Sequence, residues 1–196
     1  MALQRRLTRS DILPAEQYAR ERAEHRRRIS ELKRRRRVEV GPFSTFYFES
    51  FATMWHQVHE MLYIERGGEA QIADEIAAYN PPIPQGEELV ATVMFEIDDP
   101  RQRDKALAGL GGVEHRMFLT VAGERIHGIA DPTRENTSPE GKASAVQFLR
   151  FPLAPPQRAA FRHAGTPVLV GIDHENYGHM AVMPEVTRAA LAEDLA

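Results

Sequence analysis

Leu89-Val90-Ala91-Thr92-Val93-Met94-Phe95-Glu96-Ile97 sets Leu89, Ala91, Val93, Phe95 and Ile97 at every second position. A two-residue period of this kind marks a β-strand with one buried face. Upstream, Phe43 to Phe48 is an aromatic-rich extended stretch. Downstream, Met117, Leu119 and Val121 alternate again, and Ala122-Gly123 turns the chain toward a strand holding Ile126 and Ile129. That is the pattern of a hairpin. Ala145 to Leu153 adds another strand. Pro167 to Ile172 adds a short apolar one, which Asp173 to Gly178 leaves as a turn. Strands joined by hairpins and short helices imply an α+β fold. Its antiparallel or mixed sheet would have about five to six strands, with helices packed on one side.

The helices punctuate this frame. Phe51, Met54, Trp55, Val58, Met61 and Leu62 fall at helical spacing from about Phe51 to Arg66, and Gly67-Gly68 then breaks the chain. Ile72, Ala73, Ile76 and Tyr79 give a shorter helix the same kind of face, so the two form an expected αα-hairpin. Asn80 to Gly86, rich in proline, is a rigid connection. Short helices are expected after Asp99-Pro100, after Pro155-Pro156 and near Pro184. At the other end, Thr8 to Pro14 looks like a helix entrance, and nothing breaks a helix from there to about Arg37. Its apolar seam of Tyr18, His25, Ile29 and Leu32 is narrow.

Charge divides the chain unevenly. Of 196 residues, 25 are Lys or Arg and 28 Asp or Glu. Residues 1–37 hold 13 of the basic and five of the acidic residues, a net of +8; the rest nets −11. A basic helical arm over 1–37 and a single α+β domain over 38–196 are therefore expected. Zero cysteines exclude a thiol nucleophile, a disulfide and an iron–sulfur cluster held by the chain's own thiolates. No apolar run approaches the roughly 18 residues of a membrane span, and no apolar stretch follows the N-terminal arginines as a signal peptide requires. A cytoplasmic protein is expected.

Several segments together resemble the bacterial family numbered 3501 among the domains of unknown function. They are Leu7 to Ile12, Lys33 to Pro42, Phe48-Glu49, Glu60 to Leu62 with Ile64 to Arg66, Tyr79 to Pro81 with Ile83-Pro84, Phe148 to Phe151, and Gly171 to His174. The resemblance implies genes placed beside a rubrerythrin-like protein and an iron–sulfur oxidoreductase. A role in an oxidative-stress or electron-transfer module follows as an expectation. No catalytic residue comes with the resemblance.

Three groups of residues carry possible chemistry. His56, His59 and Glu60 share a helix face at spacings of three and four. Imidazoles and a carboxylate suit zinc or iron, but the order is not the His-Glu-x-x-His of zinc proteases. The simpler alternative is a solvated polar face. Glu65 continues the apolar stripe past Met61 and Leu62, so its carboxylate is expected to face the core. There it would pair with an arginine such as Arg150 or one in the basic helix, or join Glu49 and His174 in a metal site. Asp173, His174 and Tyr177 leave a buried strand, where side chains are held rigidly, or else satisfy their own turn. No nucleophile elbow, phosphate loop or dinucleotide fingerprint accompanies them.

The arginine-rich helix offers Arg26, Arg27, Arg28, Lys33, Arg34, Arg35, Arg36 and Arg37 to a nucleic acid, to an acidic protein, or to its own acidic body. The leading expectation is a non-catalytic accessory protein that docks on a redox partner through this helix. A small metalloprotein with iron or zinc at the Glu49, Glu65 and His174 group, with or without His56 and His59, is the alternative. Nucleic-acid or ribosome binding is the third.

Overall fold

The computed structural model describes residues 4–196, so the first three residues of the expected arm lie outside it. The fold is α+β and all its strand pairs are antiparallel. The described residues form two sheets. The larger contains β1 (Arg37–Val40), β2 (Ser44–Phe48), β3 (Glu88–Phe95), β7 (Val146–Pro152) and β6 (Ile129–Ala130), in that spatial order. The smaller runs β5 (Glu124–His127), β4 (Met117–Val121), β8 (Val168–His174) and β9 (Tyr177–Val182).

Three features raise the count above six. β1 begins at the last residue of the arginine run, where charge hides the alternation of buried Val38 and Val40. β9 comes two residues after β8, and its exposed positions give no apolar period. The expected strand through Ile126 and Ile129 is cut in two, β5 in one sheet and β6 in the other. Gly128 makes the crossing: a Cβ there would lie 2.7 Å from Leu149 and 2.9 Å from Phe151, so only glycine lets the backbone approach that closely.

The alternation of β3 explains the main core. Leu89, Ala91, Val93 and Phe95 point inward beside Phe46, Phe48 and Phe151, and meet Leu119, Val121, Val168 and Val170 of the second sheet. Each large side chain buried this way contributes roughly 1.5–3 kcal/mol before entropy is counted.

Six α-helices complete the described fold: α1 (Ala15–Arg34), α2 (Phe51–Glu65), α3 (Glu69–Tyr79), α4 (Pro100–Ala108), α5 (Pro155–Arg162) and α6 (Glu185–Ala192). The α2–α3 hairpin forms as expected. Ser50 caps α2 reciprocally with Thr53: the Thr53 amide donates to Ser50 Oγ at 3.3 Å, and the Ser50 amide to Thr53 Oγ1 at 2.8 Å. Met54, Val58 and Ile72 build a second, smaller core with Leu7, Ile12 and Ile83. The N-terminal segment is thus tied to the body along its length. Asn80 receives the Leu7 amide and donates back to the Leu7 carbonyl, at 2.7 and 3.0 Å. Trp55 Nε1 donates to the Asp11 carbonyl at 2.8 Å. None of the described helices is long and apolar enough to cross a membrane.

Candidate partner-docking site

The basic helix has two faces with different work. Its inner face lies on α2, and the residues expected there as a solvated polar face are instead the seat of α1. His56 and His59 are buried, at 8% and 2% exposure. The reason is the position of α2. Met54 and Val58 face the small core on one side, while His56, His59 and Glu60 turn toward α1 on the other. A helix between two neighbours buries both stripes.

Polar groups at this seam are paired. Glu60 accepts from Arg22 through both oxygens, at 2.9 and 2.8 Å, and from the Tyr18 hydroxyl at 2.7 Å. The Arg22 guanidinium holds the Glu60 carboxyl down at about 2, against the opposing effect of burial. Burial and the same Glu60 hydrogen bond push the Tyr18 phenol up. His59 Nδ1–H donates to the Trp55 carbonyl at 2.7 Å, and its Nε2 accepts the Leu13 amide at 3.0 Å. An imidazole that accepts a backbone amide must be neutral, and burial lowers its pKa accordingly. Since Tyr18 donates to Glu60, His56 Nδ1 is the donor toward the Tyr18 oxygen at 3.3 Å. Burial lowers the His56 pKa as well.

The outer face carries the cations, and α1 supplies part of their compensation. Glu24 pairs with Arg27 and Arg28, and Glu31 with Arg34 and Arg35. One carboxylate shared between two guanidiniums leaves a positive excess at each. Such exposed pairs are screened by solvent and contribute little, so an incoming carboxylate can replace them at little cost. Beside these pairs, a groove of about 530 Å³ runs between α1 and the edge of the larger sheet. Arg26, Lys33, Arg34 and Arg37 line it, with Tyr47 and His56. Arg37 meets Glu39 at 3.5 Å. Arg26 and Lys33 have no carboxylate within ion-pair distance among the described residues.

Arg36 corrects the expected partner-binding set. Its neighbours are exposed or half-buried, but Arg36 is 5% exposed. It donates to the carbonyls of Phe48 and Glu49, at 3.0 and 2.7 Å, and pairs with Asp194. α1 ends at Arg34, so Arg36 points inward as the chain turns into β1.

The expected metal group is also dispersed. Glu65 is exposed and accepts from Gln71, because α2 ends there and the extrapolated stripe runs past α3 into solvent. Its expected partner, Arg150, pairs instead with Glu88 at 3.0 Å. Glu49 is buried, accepting from Thr53 and Thr92 hydroxyls at 2.7 Å each. His174 closes the β8–β9 hairpin: its Nδ1 accepts the Asn176 amide at 3.2 Å, and Nε2 donates toward the Gly111 carbonyl at 3.3 Å. Asp173 pairs with Arg125 at 3.0 Å on the surface. Tyr177 is buried and pins the β1–β2 turn. Among the described residues, no three His, Asp or Glu side chains are grouped to hold a metal ion.

Sequence reasoning missed Arg22, Asp194 and Tyr47. Arg22 had a signal, since it stands four residues from Tyr18 on the same helix face. Asp194 and Tyr47 had none, because their roles depend on contacts across the fold.

Fold and surface together define a two-sheet α+β domain with a clamped basic helix and a cationic groove. The chain belongs to the family described as protein of unknown function (DUF3501), whose model matches residues 6–195. It is similar in structure to a novel protein of unknown function from Burkholderia pseudomallei, solved by crystallography. The two share 39% identity and superpose with a TM-score of 0.90, covering 97% of this chain and 99% of the other. No curated protein matches the sequence.

Proposed function

We propose that this protein is a non-catalytic partner-binding protein that docks its basic groove on an acidic protein surface. The observation that supports the reading is the groove itself. Four cationic side chains converge there, and Arg26 and Lys33 have no carboxylate of their own among the described residues. Arginine forks match carboxylates in a two-pronged geometry, which favours an acidic protein face as the ligand. The partner class comes from the family resemblance: an iron–sulfur oxidoreductase or a rubrerythrin-like protein of an oxidative-stress or electron-transfer module. With no cysteine of its own, the chain would position such a partner, and the partner would carry the electrons.

Calorimetric titration against each purified candidate tests this. Saturable binding that weakens as salt rises is expected, because exposed charge pairs are screened. Absence of binding to both at low salt contradicts the reading. A mobility shift with RNA or DNA in place of protein binding would assign the groove to phosphate backbones instead.

A further inference from the structure

A second cleft opens at the other end of α1, where it meets the last turn of α2 and the first turn of α3. Ala19, in this cleft, and Lys33, in the basic groove, are about 21 Å apart along the helix axis. The cleft has a volume of about 460 Å³, inside the roughly 300–1,000 Å³ range of small-molecule sites.

Its walls are apolar and aromatic. Leu13 and Ala19 come from the N-terminal segment, Leu62 and Tyr63 from α2, and Tyr18 and His59 form an aromatic floor. Tyr18 and His59 lie 4.8 Å apart between ring centroids, and Tyr63 stands edge-on to Tyr18 at 6.3 Å. The floor offers no polar handle: both His59 nitrogens are spent on backbone groups, and the Tyr18 hydroxyl is spent on Glu60. The Arg22 guanidinium lies 4.4 Å from the Tyr63 ring centroid, yet Tyr63 as a residue remains 37% exposed.

Charge at the mouth cancels. Arg9 and Glu69 bind each other in a two-pronged pair at 2.6 and 2.8 Å. The other ionic groups there are one of each sign, Arg66 and Glu16. A mouth without net charge gives an ion no advantage over its neutral analogue, while an apolar interior penalises the ion's desolvation.

We infer that this cleft is a binding site for an uncharged, planar aromatic molecule. Such a ligand needs no hydrogen bond from the floor, gains apolar contact with Leu13 and Leu62, and meets the exposed Tyr63, an aromatic pair adding about 0.5–1.5 kcal/mol beyond area burial. The site is independent of the basic groove, so its test does not depend on any protein partner.

N-phenyl-1-naphthylamine, neutral and fluorescent in apolar surroundings, is the probe. Its sulfonated counterpart, 8-anilinonaphthalene-1-sulfonate, carries similar rings with a negative charge. Saturable binding of the neutral probe at one site is expected, with the sulfonate at least tenfold weaker. Ala19→Trp fills the cleft from an exposed helix position and should lower the neutral probe's affinity at least tenfold at an unchanged melting temperature. Tyr63→Ala, also at the surface, should weaken it several-fold, and Arg26→Glu should leave it unchanged. No saturable binding, equal affinity for both probes, or wild-type affinity in both Ala19→Trp and Tyr63→Ala would overturn the inference.

Discussion

Arg36 and Asp194 form a buried ion pair across 158 positions of sequence, joining the end of the basic helix to the turn after α6. The same guanidinium holds the carbonyls of Phe48 and Glu49. Burial still pushes the Asp194 carboxyl up, even with Arg36 drawing it down. Arg36→Ala would strand that carboxylate and two carbonyls, and a broken buried pair costs about 3–5 kcal/mol. Urea unfolding should show a loss of this size, whereas Arg35→Ala, at an exposed neighbour, should stay within about 0.5 kcal/mol of wild type.

The seam between α1 and α2 makes stability depend on pH. His56 and His59 are held below the ordinary 6.5, first by burial; Glu60 opposes this for His56 and the Trp55 carbonyl for His59, while His25 adds repulsion to both and Lys33 to His56. Tyr18, Arg22 and Arg26 of α1 flank the same seam. Above pH 6.5 both imidazoles are neutral whether the chain is folded or not, and their contribution is complete. Below it the unfolded chain takes up protons first, so stability falls with pH. The Glu60–Arg22 pair persists through this window, because Glu60 loses its charge only toward about 2. Calorimetry should record a lower melting temperature at about pH 5 than at about pH 8, with a flatter slope in a His56→Gln/His59→Gln double variant.

Tyr177 fastens one sheet to the other through its hydroxyl. It donates to the Val40 carbonyl at 2.8 Å and accepts the Phe43 and Ser44 amides at 3.2 and 3.1 Å. Tyr177→Phe removes the buried partner of these groups and should cost about 1–3 kcal/mol in chemical denaturation. Gly41 sits beneath the phenol at φ +71°, where a Cβ would lie 2.6 Å from the hydroxyl. Gly41→Ala should therefore destabilise as well, by backbone strain and collision together.

Local pattern decided most of the fold. The alternation of Leu89 to Phe95 and the helical stripe of Met54 and Val58 survive because burial on one face writes a period into the sequence. The division into two sheets had no such trace. Gly128 marks it, but a lone glycine within an apolar stretch reads equally well as a weak point in one strand. The site was legible in composition and not in detail. The arginine run announced a cationic surface, but which arginine turns inward depends on Asp194, far away in sequence. His56 and His59 stand out by their spacing, but the groups that fix them, the Tyr18 hydroxyl and the Leu13 amide, come from outside α2 and leave no trace near them in the sequence. Glu65 continues the stripe by spacing, but it is the last residue of α2 and lies exposed, where no neighbouring element covers the stripe.

Arg26 and Lys33, unpaired by any carboxylate among the described residues, are the proposed contact with an acidic partner. The most direct measurement is the affinity of an Arg26→Glu/Lys33→Glu variant for the purified iron–sulfur oxidoreductase and rubrerythrin-like protein, beside wild type and at matched salt. Both positions lie on an accessible helix face, so the fold should be kept. A loss of at least tenfold, shrinking as salt rises, is the predicted result. Wild-type affinity in the charge-reversed variant would contradict it.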